Sequence, residues 1–97
     1  MMIRKKQYFL QEGEVCKYAA FIVKGAMRQY HVDEKGNEHM VHLFLENYWA
    51  SDRESMIMLS PSAYHIDAWE DTEMLIISRA EMLALMPKVP ALVEMVR

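Results

Sequence analysis

Ninety-seven residues at 53% hydrophobic and 26% charged composition describe one globular domain with a modest core, since a chain this short buries only about 60 to 65% of its unfolded surface. Three glycines and three prolines exclude a low-complexity chain, and a net charge of -3 argues against nucleic-acid binding by this segment. The charge is graded: six basic against two acidic residues give +4 over residues 1–30, three against ten give -7 over 31–80, and the last seventeen residues are neutral.

The first element is the β-prone Tyr8-Phe9-Leu10, preceded by the basic run Arg4-Lys5-Lys6. Charges beside a short strand protect a sheet edge from pairing with other chains, which is the reading adopted for this run. The start is charged like a signal peptide, but Gln11 and Glu12 end the apolar stretch before a hydrophobic region develops. Gly13 supplies a turn. Cys16 is the single cysteine, which excludes an internal disulfide, a cysteine-built zinc site and a four-thiolate cluster, and it is read as an inert residue of a reducing cytoplasm.

Tyr18 to Lys24 is a compact run of strand formers ended by Gly25. Its apolar part is the longest in the chain and lies far below the roughly 18 to 20 residues that cross a membrane. Ala26 to Val32 continues as a strand with Arg28, Tyr30 and Val32 on one face. Asp33-Glu34-Lys35-Gly36-Asn37 is the clearest turn and predicts a hairpin. The returning strand, Glu38 to Leu45, alternates so that His39, Val41, Leu43 and Leu45 share one face and Met40, His42 and Phe44 the other.

Trp49 to Ala68, WASDRESMIMLSPSAYHIDA, has the layout of a phosphate-binding cassette. A short helix capped at Ser51, with Ser51-x-x-Glu54 as a capping box, is followed by a turn at Ser60-Pro61-Ser62 and a strand from Ala63 to Ala68. Tyr48, Trp49 and Trp69 are assigned to the core. A further strand runs from Thr72 to Ser78 around the acidic turn Glu70-Asp71. Ser78-Arg79-Ala80-Glu81 forms a second capping box and predicts a helix to about Met86, interrupted by Pro87 and Pro90. Residues 91–96 look like the opening of another helix. The ten methionines are taken as core filler. Roughly eight short strands followed by helices give a mainly β fold, a jelly-roll-like β-roll with short flanking helices.

On these residues the chain resembles the cyclic nucleotide-binding domain of CRP/FNR-type bacterial transcription regulators. The likeness is carried by Leu10 through Gly13, Phe21-Ile22-Val23-Lys24-Gly25, the Asp33 to Glu38 turn and Trp49 to Ala68. It implies a double-stranded β-helix and a cassette that holds a cyclic phosphate through helix amides and an arginine, with a glutamate on the ribose hydroxyl. Carried over by position, the family's glycine falls on Ser51, its glutamate on Asp52, its arginine on Ser62 and the adjacent small residue on Ala63. Serine lacks the bidentate, charge-assisted contact of a guanidinium. Arg53, in the first helical turn, is the alternative cation, but Asp52 and Glu54 flank it, and a solvated first turn is expected.

The resemblance therefore implies a regulatory, non-enzymatic sensor domain spanning residues 1–97, with a degenerate cassette. Its effector is a cyclic nucleotide bound in an unusual manner, another small metabolite, or nothing. It also implies a helix before the first strand, a long dimerisation helix beginning near Leu92 and a helix-turn-helix domain after it, so homodimerisation and DNA binding would belong to a longer protein. A ligand-free scaffold that dimerises or contacts RNA polymerase is the competing reading. A cupin-like metal site from His39, His42, Glu46, His31 and His65 is disfavoured, because regular alternation sends His39 and His42 to opposite faces. No nucleophile elbow or glycine-rich phosphate loop is present.

Overall fold

The computed structural model describes residues 1–85. Eight strands and two helices occur there: β1 (Met2–Ile3), β2 (Tyr8–Leu10), β3 (Tyr18–Lys24), β4 (Met27–Val32), β5 (Glu38–Phe44), β6 (Trp49–Ala50), α1 (Arg53–Met58), β7 (His65–Ala68), β8 (Thr72–Ser78) and α2 (Arg79–Leu85). The strands make two four-stranded antiparallel sheets, in the orders β1-β8-β3-β6 and β2-β7-β4-β5. Consecutive strands fall in different sheets at most connections, so the chain winds as a β-roll. This is the mainly β, jelly-roll-like architecture expected from the sequence.

The core lies where the sheets face each other. Ile22, Met27, Ile66 and Met74 are fully buried, with Ala20, Ala50 and Ala68 allowing close approach between strands. Methionine serves two roles. Met27, Met56, Met74 and Met82 are 0% exposed, whereas Met1, Met2, Met40 and Met58 are at least half exposed, so the core assignment holds for only part of the set.

Turn chemistry fixes the windings. Gly25 has φ 107°, and a Cβ there would lie 2.6 Å from the Asp71 carbonyl oxygen and the Thr72 hydroxyl, so the β3–β4 crossing requires glycine. At the hairpin tip the Asp33 carboxylate accepts the Lys35 and Asn37 amides, each at 2.9 Å, and the Asp33 amide donates to the Asn37 carbonyl. The turn at 33–37 is therefore the one read from the sequence. The capping box of α2 also forms: the Ser78 amide donates to Glu81 at 3.0 Å, and the Glu81 amide donates to the Ser78 hydroxyl at 3.1 Å. These bonds hold the Glu81 carboxyl below its usual range. Pro87, Pro90 and the helical opening at 91–96 lie outside the described residues.

Three expectations are corrected. Two-residue strands β1 and β6 are too short for an alternation pattern and were not anticipated. Tyr48 and Trp69 are 54% and 49% exposed rather than core, while half-buried Trp49 packs on Phe21 with centroids 5.3 Å apart. Strand β5 does not alternate regularly. Gln29 faces His42 but Tyr30 faces Met40, so Val41 is an extra, bulged residue. His39 pairs with His31, which shares a face with Gln29, and the bulge thus places His39 and His42 on one face.

Candidate functional site

The segment from β6 to β7 is clamped to its neighbours on both sides. Ser60 to Ser62 lies against the loop at 13–16: the Ser62 amide donates to the Glu14 carbonyl and the Gly13 amide to the Ser62 carbonyl, both at 2.8 Å, and Val15 bridges Pro61. Ser55, 1% exposed, ties three pieces together, since its hydroxyl donates to the Ser60 carbonyl at 2.6 Å and accepts the Cys16 amide at 2.8 Å. From α2, Arg79 Nε donates to the Met56 carbonyl at 2.7 Å and so satisfies an end of α1 that has no basic residue of its own. Leu59 closes the helix in the left-handed conformation, φ 54°, where glycine is usual.

Asp52, not Ser51, caps α1. Its backbone is extended and its carboxylate accepts the Ser55 amide at 3.3 Å, which shifts the cap by one residue and leaves the Ser51/Glu54 capping box unformed. The reason is geometric: helical dihedrals begin at Arg53, so the residue whose side chain folds back on the third helical amide is Asp52.

Asp52 also meets Ser62. The Ser62 hydroxyl donates to Asp52 Oδ2 at 2.5 Å and accepts the Tyr64 amide at 3.0 Å; the two residues are 7% and 4% exposed. The ten-residue interval read from the sequence thus does bring these side chains together. Ser51 is buried beside them at 8% exposure, whereas Arg53 and Ala63 are exposed. No lysine, arginine or histidine forms an ion pair with Asp52 among the described residues. What the centre of the cassette presents is a buried carboxylate with a hydroxyl bound to it.

Cys16 sits against this carboxylate. Burial raises its thiol pKa, the Asp52 charge raises it further, and hydrogen bonding from the Asp52 amide opposes both. At 1% exposure and with a raised pKa it is a packing residue, as the sequence suggested. Sequence reasoning missed Ser55, Arg79 and Tyr64 as parts of the cassette. Only Ser55 left a local signal, three residues after Asp52, the position an N-cap aspartate reaches.

The histidines do not assemble. His31 and His39 stack at 4.9 Å and His39 Nε2 lies 2.8 Å from Asp33 Oδ2, while His65 packs on Tyr8 and Tyr30 across the other face. Among the described residues no three His, Cys, Asp or Glu side chains are grouped to hold a metal.

The sequence model of the cyclic nucleotide-binding domain matches residues 1–88. The chain belongs to the cyclic nucleotide-binding domain family. Among solved structures it is similar to the catabolite activator protein of Thermus thermophilus, at TM-score 0.82 and 19% identity, over 97% of this chain and 44% of that one. It is also similar to the sensor domain of the transcriptional regulator DNR from Pseudomonas aeruginosa, at 0.80 and 17%, over 98% and 63%. A third is the EAL enzyme Bd1971 in its cGMP-bound form, at 0.79 and 21%, over 98% and 25%. The chain spans less than two thirds of each of these proteins. A search of curated protein sequences finds no significant match.

Proposed function

We propose that this domain is the ligand-sensing regulatory part of a CRP/FNR-type transcription regulator, and that its cassette does not hold a cyclic phosphate in the family's usual way. The observation that carries this is the Asp52–Ser62 pair. The side chain in the arginine position is an uncharged hydroxyl committed to the Asp52 carboxylate, so no guanidinium stands there to receive a phosphate.

Ser51, Asp52, Arg53, Ser62 and Ala63 are accordingly the residues of a degenerate site. The effector it supports is a small metabolite less anionic than a nucleotide, sensed without catalysis in the cytoplasm. Homodimerisation and DNA binding would be supplied by segments beyond those described. No described helix is long and apolar enough to cross a membrane.

A ligand-free scaffold of the same fold is favoured by a different observation: among the described residues no buried side-chain nitrogen or oxygen lacks a hydrogen-bond partner. A site waiting for a ligand commonly keeps one. A thermal-shift screen of cyclic nucleotides and neutral metabolites separates the readings. The sensor reading expects at least one compound to stabilise the fold by about 2.7 kcal/mol at a hundredfold excess over its Kd, and the scaffold reading expects none. Stabilisation of that size by cAMP or cGMP would contradict the degenerate cassette.

A further inference from the structure

On the outer face of the second sheet, Lys5, Lys6, Arg28, Asp67, Ala68 and Trp69 line a cavity of about 310 Å³. We propose that this cavity is a binding site for a small aromatic anion, a ring-bearing carboxylate, which lays its ring on Trp69 and its charge against Lys5 and Lys6.

The lysines stand on a turn held rigidly in place. The Arg4 amide donates to Gln7 Oε1 at 2.7 Å, the Gln7 amide to the Arg4 carbonyl at 2.9 Å, the Lys5 amide to Asp71 Oδ1 at 2.8 Å and the Lys6 amide to the Ala68 carbonyl at 2.8 Å. Lys6 has φ 73°, a left-handed conformation that glycine or asparagine would adopt at less cost, yet the position carries a cation. Neither lysine side chain makes an ion pair or hydrogen bond with a described residue. Both charges are thus unpaired among the described residues, although Lys5 also borders a depression lined by Glu46, Glu70 and Asp71.

Arg28 is the opposite case. Its guanidinium donates to Asp67 at 2.8 Å and to Glu38 at 3.1 Å and lies over the Tyr30 ring at 4.0 Å, so it forms a wall of the cavity instead of a ligand contact. Trp69 is 49% exposed, and the same guanidinium lies over one face of its ring at 5.5 Å. A half-exposed indole beside two ammonium groups that no described residue pairs, with three cations and one carboxylate in the lining, selects a planar anion by both stacking and charge. The volume admits a single ring with its substituent.

The test uses the 97-residue chain labelled with 15N, in which Trp49 is an internal control for Trp69. Benzoate should shift the Trp69 indole N–H signal saturably and leave that of Trp49 in place. Benzyl alcohol, with the ring but no charge, and acetate, with the charge but no ring, should each bind at least about tenfold more weakly. Lys5→Gln and Lys6→Gln should each weaken benzoate about three- to tenfold, and Lys35→Gln at the hairpin tip should not. No Trp69 shift with benzoate, an equal response of Trp49, acetate binding as well as benzoate, or affinity unchanged in the Lys5→Gln/Lys6→Gln double variant would each overturn the proposal. Both lysines are exposed, so these variants keep the fold.

Discussion

The domain buries two aspartates and treats them differently. Asp67, 4% exposed, is held by Arg28 through two nitrogens and receives the Tyr30 hydroxyl at 3.4 Å; Asp52, 7% exposed, is held by a serine hydroxyl and a backbone amide. The Arg28 guanidinium is pushed above its ordinary pKa chiefly by its hydrogen bond to Asp67. Burial, with a hydrogen bond to Tyr8 as the next cause, lifts the Tyr30 phenol and keeps it a neutral donor. Where structure needs a buried carboxylate, the fold supplies a cation. For Asp52 no described lysine, arginine or histidine forms an ion pair, and its partners are the Ser62 hydroxyl and the Ser55 amide.

The largest expected effect falls on the structural pair. Arg28→Met strands Asp67 without its cation, and breaking a buried pair from one side costs about 3 kcal/mol. Thermal unfolding should fall by roughly 12 to 24 °C for a domain of this size. A drop below about 4 °C would show that the two aspartates are alike after all.

Asp52→Asn should cost less, about 1 kcal/mol or under, because asparagine is a good N-cap and still accepts from Ser62. Ser62→Ala should cost about 1 to 2 kcal/mol, since it leaves the buried carboxylate one donor short. If Ser62→Ala destabilises as strongly as Arg28→Met, the hydroxyl is part of the scaffold and not a vestige of a site.

The contrast between these regions also explains what was legible in the sequence. Turns and caps made by neighbours in the chain could be read directly: Asp33 to Asn37, Gly25, and Ser78 with Glu81. The Asp52–Ser62 contact was legible only because family spacing placed both residues on one cassette. The Arg28–Asp67 pair, 39 residues apart, left no local trace. The Val41 bulge did not either, because one inserted residue in a β-prone run changes no composition while it turns His39 and His42 to one face. Tyr48 and Trp69 read as core because aromatic type reports hydrophobic area and not which side of a strand end faces solvent.

The smallest effect is electrostatic and sits on the hairpin. The Asp33 carboxyl is lowered from an ordinary 3.8 to about 2, first by its bond to His39 and then by the Asn37 amide. Its contribution is therefore fully present above pH 3.8 and is lost as pH falls toward 2. In His39→Gln the Asp33 midpoint, followed by NMR, should move back toward 3.8, with little change in unfolding temperature because the pair is exposed. An unchanged midpoint would assign the shift to the turn amides alone.

Calorimetric titration of cAMP and cGMP into the native domain and into Ser62→Arg, with Asp52→Glu added if needed, asks whether the missing charge at position 62 is what separates this cassette from one that holds a cyclic phosphate. The native domain should show no measurable binding, and the arginine variant should gain at least about tenfold, the worth of one charge-assisted bond. Tight binding of either nucleotide to the native domain would contradict this reading, as would an arginine variant that folds, on circular dichroism, and still binds neither.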